Sequence, residues 1–516
     1  MKNIGLYLAI VSLVLLASCM DLDQFNPNSP TVESFWRTEA DLYTGLMGAY
    51  AQLQDDYYGG GDINSVCLTM SDMGTVTRKS GELYNVARFI EEPWEFYWWQ
   101  NSYKLISRGY QVIDRSGSIG DNENIRAMVG EAQFLVALAY YNLIQMYGYH
   151  IAYVDRELGA ADDPAPRGDS LSITGLMESL LLEAIPVLPL ASEYPLDQYG
   201  RVTRGAAQSL LGKLYMQTHQ YDLASEQFSA VIGSGQYILL DNFADNFIND
   251  GVNPNEEAIF LVNFTLNGPQ GEDDENSRHR SYGIREMAGM GIFSDIAPTP
   301  FIFESFLSER DRDGNFDPRM DITLFNDSTS RLFYNLTYEE WRYYGTLDLL
   351  YDKRITTSFM KYSEQEGFAL SGDSVVAPEK FKIGQTDFLV IRYADILLLQ
   401  AEALNEIHNG PDAADELGNT AYDYVDMVRE RSNMFPLSVA QPGLSRSEFL
   451  TQLQHERVVE LAEECVRYFD LRRWGLYDNN NTNDTDFETW TFEDRWANIP
   501  LAEREVNPNL TSNPGY

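Results

Sequence analysis

Histidine is nearly missing from this chain, with five residues in 516: His150, His219, His279, His408 and His455. Imidazole chemistry, whether general acid–base work or metal ligation, has little to draw on. Cysteine is scarcer, with three residues. Apart from Cys19 near the N-terminus, only Cys67 and Cys465 remain, and two cysteines do not make a disulfide scaffold. They read as buried free thiols, with pairing after export as the open alternative. Basic residues are outnumbered, 37 against 78 acids, for a net charge of −41. So acidic a surface argues against nucleic acid, whose phosphates attract basic faces, and against electrostatic docking on anionic lipid. The apolar run Ile4–Leu16 is too short to cross a bilayer, which takes about 20 residues. No glycine-rich phosphate loop and no Gly-x-Ser-x-Gly elbow stands between a strand and a helix.

What is present begins with Lys2, the short apolar run, and Leu16-Ala17-Ser18 directly before Cys19. A basic start, an apolar core and small residues before a cleavage point make a secretory signal. A cysteine in that place makes it look like a lipoprotein signal. Residues 1–18 are then removed, Cys19 is acylated, and the protein is held at a membrane by lipid. Cleavage removes one charge, Lys2, and leaves the mature chain slightly more acidic. Residues 19–30 are polar and rich in Pro and Asn, as suits a tether.

Helical periodicity follows. Glu39–Asp55 places Leu42, Leu46, Ala49 and Leu53 on one face, and Arg126–Tyr147 repeats the pattern up to a capping Gly148. Leu211-Gly212-x-x-Tyr215 and Ala224-x-x-x-Phe228 flank a turn at Gln220-Tyr221-Asp222. This is the tetratricopeptide pattern without its first Trp and last Pro, in which small residues let two antiparallel helices approach closely. A looser copy starts at Phe388, with Ala394, Leu397, Leu398, Ala401 and Leu404 as its stripe. Asn409-Gly410-Pro411 forms its turn, and Pro411–Arg431 is expected to return as a helix. A third helix is predicted from the capping box Ser445-x-x-Glu448 to about Cys465. Residues 56–101 and 251–387 are instead irregular and rich in aromatics. Long insertions on a helical-repeat scaffold usually lie on its binding face.

The order of motifs is distinctive: the lipoprotein signal, Asp23-x-x-x-Pro27, the tetratricopeptide-like pairs and Leu389-Val390-Ile391-Arg392-Tyr393-Ala394-Asp395. Arg467-Tyr468-Phe469-Asp470-Leu471-Arg472-Arg473-Trp474-Gly475 comes next, and Asn513-Pro514-Gly515-Tyr516 ends the chain. Together they resemble the SusD/RagB family of outer-membrane nutrient-binding lipoproteins. The resemblance implies an all-α dominated fold, with tetratricopeptide-like pairs forming a superhelical scaffold that carries long irregular insertions. One domain over residues 31–516 then replaces the roughly three suggested by length. The family usually has glycine where Cys465 stands, a departure expected to shift a helix end locally. The resemblance further implies a cell-surface protein that captures an oligosaccharide and delivers it to a TonB-dependent (SusC-like) outer-membrane transporter, with no catalysis and no cofactor. A peptide-uptake protein, a surface interaction scaffold and a glycosidase are the rival readings.

Flat aromatic rings cover sugar faces, while polar side chains reach the hydroxyl rim. Among 8 Trp and 32 Tyr, the expected ligand contacts are Trp94, Trp98, Trp341 and Tyr344. Asp72 and Arg78 join them, because Ser71–Arg88 resembles in position a loop bordering the family's glycan site. Trp99, four residues before Tyr103 on a helix, reads as core. Arg392, Asp395, Glu456, Arg467, Asp470 and Arg472 read as ion-pairing residues that lock helix ends. No metal is expected. His455-Glu456 lacks the second histidine of a zincin, since Val459 stands in its place. The calcium-loop-like Asp311-x-Asp313-Gly314-Asn315-x-Asp317 lacks its closing glutamate, because Met320 stands there, and reads as a turn.

Overall fold

Thr38 accepts a bond from the Asp41 amide while the Asp41 carboxylate accepts from the Thr38 amide. This capping box starts the first helix of the computed structural model, which describes residues 35–55, 58, 62–76, 93–159, 161–247, 254–264, 296–326, 358–362, 369–371, 374–376, 386–477, 496–514 and 516. The elements in order are α1 (Glu39–Ala51), α2 (Asp62–Thr69), β1 (Gly74–Val76), α3 (Pro93–Ser116), α4 (Glu123–Tyr147), α5 (Ser170–Ala184), α6 (Arg204–Gln217) and α7 (Tyr221–Gly233). Then follow β2 (Ala258–Val262), β3 (Ile296–Pro298), α8 (Pro300–Leu307), α9 (Met320–Thr323), β4 (Leu324–Phe325), β5 (Ser358–Phe359), β6 (Ala369–Ser371), β7 (Ser374–Val376) and β8 (Phe388–Arg392). The chain closes with α10 (Tyr393–Ile407), α11 (Ala421–Arg431), α12 (Leu437–Ala440), α13 (Arg446–Leu461), α14 (Arg467–Arg473) and α15 (Leu501–Val506).

Helices carry the architecture, as the periodicity predicts, and pack mainly on their sequence neighbours. Among the described residues there are four two-stranded ladders, all antiparallel. Helix α4 is apolar and long enough to span a membrane, yet 83% of its apolar window is buried inside the fold, as befits a core helix. Gly148 ends it with φ +73°, a left-handed conformation that glycine adopts without strain.

The tetratricopeptide-like pair forms as read. A Cβ built on Gly212 would lie 2.4 Å from the Phe228 ring, and Ala224 is fully buried. Gly212→Leu and Ala224→Leu are each expected to destabilise the protein by about 1–3 kcal/mol through overpacking. Thermal melts of both variants check this, and melting within a degree of the parent would contradict the crossing.

Two helix boundaries differ from expectation. Residues 411–420 are not helical, and α11 starts at Ala421 behind its own capping box, Thr420 with Asp423. Asp415 takes the amides of Leu417 and Asn419 at 2.9 and 3.1 Å, and Gly418 turns at φ +84°. The side chain of Asp415 thus satisfies backbone that a helix would have used. Helix α13 ends at Leu461 rather than near Cys465, because Glu463 and Cys465 both take left-handed conformations, φ +66° and +61°. Cys67 and Cys465 form a disulfide, with Cα atoms 5.1 Å apart and a sequence separation of 398, so the free-thiol reading is corrected.

Candidate functional site

The described ends of the two irregular insertions meet in one place. β1 pairs with β3 in the register Gly74↔Pro298 and Val76↔Ile296, and β4 pairs with β5 at Leu324↔Phe359. The Thr299 amide donates to the Met73 carbonyl at 2.8 Å, which closes the first ladder. Leu68, Met73, Ile296, Ile302, Phe306, Leu324 and Phe359 form one buried cluster over Val458 and Val459 of α13.

Beneath this platform α13 and its exit turn present a row of buried carboxylates, Glu456, Glu460, Glu463 and Glu464. Arg319 reaches Glu456 at 2.6 Å, Glu460 at 2.9 Å and Asp317 at 2.7 Å. Arg392 reaches Glu257 at 2.5 Å, Glu460 at 2.6 Å and Glu464 at 2.8 Å. Arg429 pairs with Glu456 at 2.8 Å, and Arg431 with Glu460 at 2.5 Å. Lys361 donates to Glu464 at 2.6 Å and to the carbonyls of Glu460 and Ala462, each at 2.9 Å. Arg319 and Lys361 beside the β4–β5 ladder, Arg392 at the end of β8, and Arg429 and Arg431 of α11 therefore grip the same helix end.

Charge balance sets the electrostatics of this network. Burial alone would raise Glu460, but attraction from Arg431, Arg392 and Arg319 overrides it and holds the carboxyl well below the usual range. Glu456 is lowered for the same reason, with burial outweighed by Arg319 and Arg429. For Lys361 burial wins, and its ammonium is held below the usual lysine value despite Glu464. With these carboxylates bound by cations, the network works as a clamp and offers no free acid–base pair.

Five of the six residues expected to lock helix ends do so. Besides Arg392 and Glu456, Asp395 pairs with Lys213 at 2.5 Å and Arg457 at 2.9 Å. Asp470 pairs with Arg457 at 2.7 Å and Arg473 at 2.9 Å, and Arg467 pairs with Asp72. Arg472 differs: its guanidinium lies 3.4 Å from the centre of the Trp496 ring and 5.2 Å from that of Tyr468, a cation–π contact in place of an ion pair. Sequence reasoning did not single out Glu257, Arg319, Lys361, Glu460 or Glu464. The available signal was acids at four-residue spacing, Glu456, Glu460 and Glu464, running beside the apolar Val458 and Val459.

The expected ligand residues divide. Asp72 is fully buried and takes two bonds from Arg467, at 2.9 and 2.7 Å, so it is a core ion-pair partner and not a rim contact. Trp98 is only 4% exposed, with its indole N–H directed at the Asn142 carbonyl at 3.4 Å, and it too is corrected to core. Trp99 is buried, as read. Trp94 lies in the first turn of α3, its side chain outside the described residues. Arg78, Trp341, Tyr344 and the anchor Cys19 also lie outside them. In sequence Arg78 follows β1 closely, and Trp341 and Tyr344 fall between β4 and β5.

The rejected metal motif is a turn. Asp311 accepts the amides of Asp313 and Asn315 at 3.0 and 2.7 Å, and Gly314 has φ +87°. Among the described residues no group of three or more His, Cys, Asp and Glu could hold a metal ion. An internal cavity of about 70 Å³ beside Cys465, Lys213 and Arg457 is far smaller than the roughly 300–1,000 Å³ of small-molecule sites.

Residues 256–516 match the SusD family. The chain belongs to that family. Residues 22–216 of this SusD-family chain also match a family described as starch-binding, associating with outer membrane. SusD-like protein P2 of Formosa agariphila is 26% identical over 98% of both chains. A SusD homologue from Bacteroides thetaiotaomicron has the same fold at 20% identity, with a TM-score of 0.76 over 94% of this chain and 98% of its own. A laminarin-binding SusD-like protein superposes with a TM-score of 0.73 at 23% identity, over 93% of this chain and all of its own.

Proposed function

We propose that this SusD-family chain is a cell-surface lipoprotein that captures an oligosaccharide and passes it to a TonB-dependent outer-membrane transporter. Residues 1–18 are the export signal, Cys19 carries the lipid, residues 19–30 are the tether and residues 31–516 one binding domain facing the exterior. The observation that carries this reading is the common root of the two aromatic-rich insertions. β1 of the first pairs with β3 of the second, Asp72 beside β1 pairs with Arg467, and Arg319 and Lys361 of the second grip α13, which supports a shared base for a ligand face. Outer-membrane association and glycan binding are supported by the starch-binding family match and by the laminarin-binding relative of the same fold.

The mechanism is binding without bond cleavage. Indole and phenol rings stack on the C–H faces of sugar rings at little entropic cost, and polar groups orient the hydroxyls. Trp94, Trp341 and Tyr344 are the proposed stacking residues, with Arg78 at the rim. A neutral ligand bound this way depends only weakly on salt. Calorimetry against a panel of neutral oligosaccharides is the test, with alanine at each of the four positions. Loss of a stacking ring is expected to weaken binding by more than about 1 kcal/mol, as at an interface hot spot. Variants that all fold and bind like the parent would overturn the site, and capture of peptides with no glycan would overturn the substrate class.

A further inference from the structure

A cleft of about 1000 Å³ opens between the N-terminal turns of α1 and α4 and the connector from α5 to α6, and none of its lining residues belongs to the insertions or to α13. Its size is that of a small-molecule site. The floor is rigid. Arg201 donates through Nε and Nη2 to the fully buried Glu131, and through Nη1 to Gln198 at 2.6 Å. Glu131 also accepts the Tyr50 hydroxyl at 2.6 Å, and the Tyr194 hydroxyl donates to the Val202 carbonyl at 3.1 Å.

The Arg201 guanidinium carbon lies 5.6 Å from the centre of the Tyr43 ring and 5.2 Å from that of Tyr194. With three of its five N–H donors bonded to Glu131 and Gln198, this arginine serves as a cation–π spacer between two phenol rings. Tyr43 is 42% exposed, so ring surface remains open to solvent on a side chain already held in place. Fixed, flat, amphipathic rings are the cheapest surface on which to stack a sugar, because little side-chain freedom is lost on binding.

Charge selects the ligand class. The lining carries Glu39, Glu123 and Glu193 against Arg126, Arg201 and Arg204, of which Arg201 is paired with the buried Glu131 and Arg126 with Asp121. No surplus of positive charge is left to attract an anion, and the lining keeps both donors and acceptors for hydroxyls. We infer that this cleft is a second binding site, for a neutral oligosaccharide that stacks on Tyr43 and Tyr194. The inference rests on the glycan-capture reading and gives the protein two separate points of contact with one polymer.

Starch- and laminarin-derived oligosaccharides are the probes, added to the full chain in detergent. Calorimetry should give two sites per chain, and hydrogen exchange should slow in residues 39–43 and 186–201. Tyr43→Ala should weaken one site by at least about fivefold, Tyr194→Phe should keep it, and Trp341→Ala should leave it intact. Tyr43 is exposed, so its alanine variant is expected to melt like the parent and decides the matter even if Tyr194→Ala fails to fold. Glucan binding at one site, with no protection of the cleft and no effect of Tyr43→Ala, overturns this inference and leaves the proposed function standing. No binding by the parent of any neutral oligosaccharide, these glucans or the wider panel, overturns both.

Discussion

Arg392→Ala is expected to destabilise the protein by about 3–5 kcal/mol, the usual cost of leaving buried charges without their partner. Arg392 is 2% exposed and contacts three carboxylates from two parts of the chain, Glu257 before β2 and Glu460 and Glu464 at the end of α13. Those acids keep other partners in Arg319, Arg431 and Lys361, but the cluster then holds more negative than positive charge away from water. Replacing the whole network by apolar residues of similar volume would cost far less, because the expense lies in the mismatch. Urea unfolding at neutral pH measures the effect, and a variant within 1 kcal/mol of the parent would refute the clamp. The same network sets the acid limit. Glu456 and Glu460 are depressed in the fold, so their contribution is complete above the ordinary glutamate value near 4.3 and is lost as pH falls through the folded values. Arg392→Ala weakens the depression of Glu460, so the loss of stability on acidification should start near the same ordinary glutamate value but be smaller and be complete at a higher pH than in the parent.

Much of the scaffold was legible because it is local. Thr38, Asn122 and Ser445 cap helices through their own side chains. Gly212 and Ala224 announce a close helix crossing by size alone, and the amphipathic spacing of α1 and α10 needs no partner to be read. Errors arose where a distant residue decides. Trp98 and Trp94 are one helical turn apart in an aromatic-rich segment, and only the approach of α4 through Asn142 shows that Trp98 faces inward. Asp72 looks like a loop acid until Arg467, from the far end of the chain, covers it. Asp415 delayed the start of an expected helix by satisfying nearby backbone amides, a competition that periodicity does not register. For the ligand site the sequence supplied candidate residue types, and the structure added the common root of the segments that carry them.

Cys67→Ala should remove a cross-link between residues 398 apart in sequence, at a cost of roughly 2–4 kcal/mol, chiefly by enlarging the unfolded ensemble. The partner residue makes a second, opposite effect measurable. Cys465 has φ +61°, a conformation glycine takes freely and other residues take at a cost of roughly 1–2 kcal/mol. A glycine would meet this backbone requirement freely; here a cysteine meets it while adding a covalent tie to α2. Asp72 and Arg467 join the same two segments a few residues further on, so ion pair and disulfide together fasten the base of β1 to the start of α14. Once Cys67 is gone the cysteine at 465 keeps only its strain. Cys67→Ala combined with Cys465→Gly should therefore recover about 1 kcal/mol of the loss, even though glycine loosens the unfolded chain. Denaturant unfolding of the parent, the single variant and the double variant under one buffer tests both halves. A double variant less stable than Cys67→Ala would mean that the backbone at 465 relaxes when the bridge is cut, and that the bridge itself imposes the left-handed turn.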